Sequence, residues 1–252
     1  MQHWELLIFF LIVAFIYSSV GFGGGSSYLA ILALYGLPFK ELRLIALICN
    51  IIVVTGGVYI YVKNDEVAWR KIIPLVLLSV PMAYIGAVIR ISQDTFFIVL
   101  GISLIIAAVL LWIKTNPATI ADIRETQKNS FLKNGALGGA IGFLSGMVGI
   151  GGGIFLSPVL NLIKWDLPKK IAAAASVFIL VNSLSGIAGQ ITTLSENLNY
   201  TRIILLCLAV FIGGQMGSRM SIKYNPVVIR RVTAVLVFCA GVEVLFKHLY
   251  KS

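Results

Sequence analysis

Apolar residues occupy most of this chain in long runs that short polar stretches separate. Six runs almost free of charge fall at 44–62, 72–89, 95–113, 171–194, 203–218 and 232–246. A helix needs about 20 mainly apolar residues to cross the hydrocarbon core of a bilayer. The pattern therefore predicts transmembrane helices at these runs, with flanking residues completing the two shortest of them.

Composition and charge agree with a membrane location. The 252 residues are 59% hydrophobic and 12% charged, whereas soluble domains carry about 25% charged residues. The net charge of +10 comes from Lys and Arg at the ends of the apolar runs, which is typical of membrane flanks that meet anionic lipid. We therefore expect a multi-pass integral membrane protein whose partner is the lipid bilayer, with no nucleic acid partner.

Two glycine clusters interrupt apolar segments, GFGGGSS at 21–27 and GIGGGIF at 149–155. Each glycine inside a helix costs about 1 kcal/mol relative to alanine, so three together end a helix. We call residues 21–25 the first break and residues 149–153 the second break. Both are predicted to lie inside the membrane, because apolar residues flank them on both sides.

The chain is an internal duplication within one domain, 1–252. Residues 19–41 and 147–170 both contain V-G-x-G-G-G, about ten apolar residues, and Leu-Pro with basic residues nearby. A long helix with a central asparagine, Asn50 or Asn182, follows in each half. The repeats extend over about 3–114 and 131–249, and a polar linker over 115–130 joins them.

The predicted fold class is an all-α polytopic membrane protein. If each break folds its segment into a re-entrant hairpin, each half crosses the membrane three times and the second half is inverted. Most of the 20 Lys and Arg residues then lie on one side, as the positive-inside rule requires. Four full crossings per half would divide them evenly, and that alternative stays open.

A helix that begins at a glycine break presents unbonded N–H groups and about half a positive charge. Glycine lacks a Cβ atom, so an oxyanion can approach these amides closely. Asparagine and serine add neutral donors, although interhelical hydrogen bonding is the simpler explanation for any one of them taken alone, and substrate contact competes equally only for the recurring pair Asn50 and Asn182. The candidate substrate-binding residues are Gly23, Gly24, Gly25, Ser26, Ser27, Asn50, Gly151, Gly152, Gly153, Ser176, Asn182 and Ser183.

Catalytic and metal-binding patterns are absent from the sequence. The three cysteines lie in apolar runs without Cys-x-x-Cys spacing, and no His-Glu-x-x-His motif or intramembrane Asp pair occurs. We therefore expect no catalytic residues, no metal, no cofactor and no enzyme activity.

The paired G-x-G-G-G motifs, the Leu-Pro steps and KKIAAAASVFILVNSLSG (169–186) resemble the TauE/SafE sulfite exporter family. This family is also called the toluenesulfonate uptake permease family, and the resemblance covers nearly the whole chain. It implies a multi-pass transporter of the bacterial inner membrane for sulfite or organosulfonates such as sulfoacetate. Its motif glycines correspond to Gly21 and Gly23–Gly25, and to Gly149 and Gly151–Gly153.

The expected function is secondary transport of a small sulfur-containing anion by alternating access. The alternative is an anion channel that uses the same glycine-rich backbone as its filter. The identity of the anion, the direction of transport, the coupling ion and the oligomeric state do not follow from the sequence.

Overall fold

A computed structural model describes residues 4–89, 91–113, 130–191, 198–220 and 226–249. Within these ranges the regular secondary structure consists of ten α-helices. They are α1 Glu5–Ser18, α2 Gly25–Leu34, α3 Phe39–Lys63, α4 Trp69–Val88, α5 Gln93–Trp112, α6 Ser130–Val148, α7 Gly153–Leu162, α8 Pro168–Gln190, α9 Tyr200–Met220 and α10 Pro226–Leu249. The predicted all-helical fold is confirmed.

Five of the helices in the described ranges, α3, α4, α5, α8 and α9, are long and apolar enough to cross a membrane. Large apolar side chains cover the outside of the bundle; for example, Leu77, Ile204 and Leu132 are 60%, 59% and 81% exposed. Contiguous apolar surface of this extent is not stable in water and matches a hydrocarbon environment. The protein is therefore an integral membrane protein.

Glycine ends and restarts the helices at both breaks. Helix α2 has Gly24 at its N-cap with φ 88°, and α7 has Gly152 at its N-cap with φ 83°. These left-handed conformations cost little for glycine, whereas a Cβ atom would strain them. The two helix interruptions predicted from the sequence are confirmed.

The first break reverses the direction of the chain. The rings of Phe10 in α1 and Tyr28 in α2 stack with their centroids 4.6 Å apart. Deeper in the hairpin, the Tyr17 hydroxyl lies 2.6 Å from the Ser27 hydroxyl. Helices α1 and α2 thus run antiparallel, so that α2 ends on the side of the bundle where α1 begins.

Helices of the first five pack on helices of the last five in matched pairs. The pair α1 and α9 has its counterpart in α6 and α4, while α3 packs on α8 and α5 packs on α10. A Cβ atom built on Gly57 of α3 would contact Ser176 of α8, and one built on Gly186 of α8 would contact Leu47 of α3. Helices α3 and α8, which correspond to each other in the predicted duplication, therefore run antiparallel.

Two ion pairs connect the halves at opposite ends of this bundle. Lys71 at the start of α4 lies 2.6 Å from Asp166, just before α8. Arg202 at the start of α9 lies 3.2 Å from Glu41 at the start of α3. Because α3 and α8 are antiparallel, their first turns lie at opposite ends, and these two ion pairs therefore lie at opposite ends of the bundle.

The linker predicted over 115–130 lies outside the described residues except for Ser130, which begins α6. The division of the chain into halves of about 3–114 and 131–249 stays a prediction.

Close packing of α4 on α6 depends on glycine, which yields a testable prediction. A Cβ atom on Gly138 would overlap the backbone carbonyl of Leu75, whereas one on the adjacent Gly139 would lie 3.6 Å from Met82 Cγ in ordinary contact. We expect Gly138→Ala to destabilise the protein by about 1–3 kcal/mol, because the helices must separate. Melting temperatures of the purified protein in detergent measure the effect. Gly139→Ala is the matched control and is expected to be neutral or slightly stabilising; an equal loss in both variants would contradict the packing argument.

Candidate functional site

The two breaks meet at the side chain of Asn50, in the middle of α3. The backbone N–H of Gly25 donates to Asn50 Oδ1 at 2.8 Å. Asn50 Nδ2 in turn donates to the carbonyl of Ile150 in the second break, also at 2.8 Å. Asn50 is completely buried. One side chain therefore joins the N-terminus of α2 to the second break and brings together two regions about 125 positions apart in sequence.

Glycine is what permits this approach. Cβ atoms added to Gly23 or Gly25 would overlap the Asn50 side chain, and one added to Gly151 would lie 2.7 Å from Asn50 Nδ2. Real Cβ atoms do not approach other heavy atoms this closely, so any larger residue would displace Asn50. The glycines predicted as anion contacts thus also form the space in which the asparagine links the breaks.

The two serines that follow the first break, Ser26 and Ser27, face α1. The Tyr17 hydroxyl lies 2.6 Å from Ser27 Oγ and 3.4 Å from Ser26 Oγ. All three side chains are buried. Ser26 and Ser27, predicted as substrate donors, therefore form a hydroxyl cluster that connects the two helices of the first hairpin.

The polar side chains of α8 lie along both breaks. Ser176 Oγ donates to the carbonyl of Gly21 at 2.9 Å, which ties α8 to the first break. A Cβ atom on Gly151 would lie 3.0 Å from Ser183 Oγ, which is buried without a hydrogen-bond partner. Asn182 donates to the carbonyl of Phe178 one turn earlier, and its Oδ1 is also unpartnered. Ser183 is thus an unpartnered hydroxyl beside the second break, and Ser145 of α6, whose Cβ a Cβ atom on Gly152 would meet at 3.2 Å, is another.

Asn50 and Asn182 make different contacts, although both lie centrally in long helices. Asn50 bonds to Gly25 and Ile150, whereas Asn182 bonds within its own helix to Phe178. A Cβ atom on Gly25 would meet Asn50, while one on Gly153 would meet Ile179. The start of α2 therefore faces an amide side chain, and the start of α7 faces an apolar one.

Sequence reasoning missed Arg43, because an arginine four residues after the start of a membrane helix resembles an ordinary flanking cation. Arg43 is 5% exposed, and its Nη2 donates to the carbonyl of Gly146 near the end of α6 at 2.9 Å. A Cβ atom on Gly149 would lie 3.3 Å from Arg43 Cβ and Cγ. The guanidinium group thus belongs to the surroundings of the second break.

This region combines helix dipoles with neutral hydrogen-bonding groups. The N-termini of α2 and α7 each carry a partial positive charge of about one half, and buried hydroxyl and amide groups surround them. Within the described ranges, no group of three or more His, Cys, Asp or Glu side chains is placed to hold a metal ion. The arrangement suits binding and release of a solute.

Irregular backbone is stable at membrane depth only where protein encloses it or where it lines an aqueous cavity. Discontinuous helices at the interface between two repeats are characteristic of transport proteins. The fold and its buried breaks therefore place this chain in the class of polytopic membrane transporters.

Comparison with known proteins agrees with this class. The sequence profile described as "Sulfite exporter TauE/SafE" matches residues 6–244. A probable membrane transporter protein of Sinorhizobium fredii is 28% identical over 245 residues, which cover 96% of this chain and 97% of the relative. Probable membrane transporter proteins of Bacillus subtilis and Methanocaldococcus jannaschii are 25% and 24% identical and cover 79% and 88% of this chain, or 79% and 87% of their own lengths. No solved structure matches the chain.

The chain belongs to the TauE/SafE sulfite exporter family. The family resemblance inferred from the paired glycine motifs is confirmed, and the relatives are named as transporters rather than enzymes.

The bridging role of Asn50 predicts a stability effect that Asn182 does not share. We expect Asn50→Leu to cost about 1–3 kcal/mol for each group left unpaired, the Gly25 N–H and the Ile150 carbonyl. Asn182→Leu removes one bond within its own helix and an unpartnered oxygen, so its effect should be much smaller. Melting temperatures of both variants without added anion measure the difference. Equal losses would show that Asn50 does not join the breaks.

Proposed function

We propose that this protein is a secondary transporter that moves small sulfur-containing anions across the bacterial inner membrane. Sulfite and organosulfonates such as sulfoacetate are the proposed substrates. The anion binds between the two breaks, against the N-termini of α2 and α7 and the hydroxyl of Ser183. The description of the matching family supports the substrate class.

The observation that carries this proposal is the convergence of both breaks on Asn50. A single helix N-terminus is common in proteins, but two interrupted helices joined inside one apolar bundle are rare outside transport sites. The left-handed glycines Gly24 and Gly152 cap α2 and α7, and the residues that begin both helices are buried inside the protein. An oxyanion placed there would accept hydrogen bonds from backbone amides without a lipid-facing charge.

We further propose that the two halves are inverted repeats and alternate between two orientations. The antiparallel packing of α3 on α8 supports this, because an inverted duplication pairs its equivalent helices head to tail. The ion pairs Lys71–Asp166 and Arg202–Glu41 connect the halves at opposite ends. In this mechanism, each pair closes one face of the transporter and separates when that face opens.

Substitution at the left-handed glycines tests the binding site. We expect Gly24→Ala and Gly152→Ala to abolish flux of sulfite or sulfoacetate in proteoliposomes and to remove the rise in melting temperature that these anions produce in the wild-type protein. The added methyl groups crowd Tyr28 and Phe178 beside the breaks, each at 2.8 Å.

Gly36→Ala is the matched control. Gly36 has a similar left-handed φ of 72°, but a Cβ atom there would meet nothing within 4 Å. Gly36→Ala therefore introduces similar backbone strain without adding an atom near the proposed binding site. We expect the anion flux of this variant to stay close to that of the wild type. Normal flux through Gly24→Ala and Gly152→Ala would overturn the proposed site. Large uncoupled currents through the wild-type protein, in place of saturable counterflow, would instead indicate an anion channel.

The two ion pairs predict opposite shifts in accessibility. In a background with the three cysteines replaced by alanine, Ser183→Cys reports on access to the second break through its rate of labelling by an impermeant maleimide. Loss of an ion pair worth about 1 kcal/mol changes the conformational ratio about fivefold. We expect Lys71→Gln to speed labelling from its own face and slow it from the other, and Arg202→Gln to do the reverse.

The double variant Lys71→Asp with Asp166→Lys restores the pair and should restore the wild-type ratio. Shifts in the same direction from Lys71→Gln and Arg202→Gln would contradict the alternating mechanism.

A further inference from the structure

Arg43 is a buried cation that the proposed binding site does not yet use. It lies in the second turn of α3 and is only 5% exposed. Nη2 donates to the carbonyl of Gly146, and the guanidinium carbon lies 5.8 Å from the centroid of the Phe96 ring. Burial of a charged group is unfavourable unless opposite charge and hydrogen bonds compensate it.

That compensation is incomplete. Nε of Arg43 is buried without a hydrogen-bond partner. Among the residues that the structure describes, no carboxylate lies within ion-pair distance of Arg43, and its neighbour Glu41 pairs with Arg202 instead. The C-terminus of α6 supplies roughly half a negative charge through its carbonyls. A net positive charge and a free donor are left over inside the protein.

Capping of the C-terminal carbonyls of α6 does not by itself explain why an arginine stands at position 43. The surroundings of the first break show this. Gly21 of the first break corresponds to Gly149 of the second in the predicted duplication, and a Cβ atom on Gly21 would lie 3.1 Å from Ala172 Cβ and 3.2 Å from the Tyr61 hydroxyl. The surroundings of Gly21 thus hold an alanine and a neutral hydroxyl where those of Gly149 hold Arg43. The repeated architecture does not require a cation at this position.

Arg43 lies on the face of α3 that also carries Asn50. Asn50 follows it by two helical turns, and residues seven apart lie on the same face of a helix. This face of α3 contacts the carbonyl of Gly146 through Arg43 and the carbonyl of Ile150 through Asn50. Both side chains therefore lie along the backbone that leads from the end of α6 into the second break.

We propose that Arg43 binds the transported anion and selects for negative charge. The guanidinium group offers several N–H donors in one plane, which suits the oxygens of a sulfite or sulfonate group. This inference rests on the proposed function and assigns the charged contact of the same site. In this arrangement the bound anion supplies the negative charge that the protein itself does not place beside Arg43.

The test compares anion binding by Arg43→Gln and Arg43→Lys with that of the wild type. Binding is measured as the rise in melting temperature on titration with sulfite, sulfate, sulfoacetate and acetate. We expect Arg43→Gln to weaken binding of sulfate and sulfite about tenfold or more and to reduce the preference for doubly over singly charged anions. Arg43→Lys retains the charge and should keep most of that preference.

Lys247→Gln is the matched control for a purely structural cation. Lys247 Nζ donates to the carbonyls of Ala33 and Leu34, at the C-terminal end of α2, at 3.3 and 2.9 Å. Its removal should lower the melting temperature without anion but leave anion affinity unchanged.

The outcomes separate the inference from the proposed function. If no anion of the panel raises the melting temperature of the wild-type protein or is transported by it, the proposed function fails. If the wild type binds and Arg43→Gln binds with the same affinity and the same preference for charge, Arg43 is only a helix cap and the inference is wrong. If Arg43→Gln does not fold, Arg43→Lys decides: weaker binding of sulfite and sulfate with the preference for charge retained supports a contact with the anion, and wild-type affinity for every anion of the panel contradicts it.

Discussion

The structure depends on the requirement that backbone N–H and C=O groups buried away from water find partners. Ordinary membrane helices meet it within themselves, but the two glycine breaks do not. At each break, a side chain from a long helix on the other side of the linker donates a hydrogen bond to a backbone carbonyl. Ser176 of α8 donates to Gly21, and Asn50 of α3 donates to Ile150. The need to pair interrupted backbone therefore fixes how the two halves meet.

The two breaks differ in the side chains around them. Cβ atoms on Gly25 and Gly149 would meet Asn50 and Arg43 of α3, whereas Cβ atoms on Gly153 and Gly21 would meet Ile179 and Ala172 of α8. Asn50 bonds to backbone on both sides, at Gly25 and at Ile150. The serines that follow the first break bond to Tyr17 and connect the two helices of the first hairpin.

The apolar runs and the glycine clusters predict the helices and their interruptions, because hydrocarbon thickness and glycine conformations act locally in sequence. The partners across the halves do not follow, since they depend on the relative rotation of helices such as α3 and α8. Asn182 illustrates this limit: its central position resembles that of Asn50, but its amide turns back to Phe178. Arg43 illustrates another, because its burial arises from the end of α6, more than a hundred residues away.

The exchange of partners between halves has a consequence for biosynthesis. Helix α1 packs mainly on α9, and α5 packs mainly on α10, so both depend on segments that are synthesised much later. Domains generally fold as units in the order of their synthesis, but here the first five helices cannot complete their contacts alone. The first hairpin must wait in the translocation machinery or the bilayer until α9 and α10 have been inserted, so the native packing forms late.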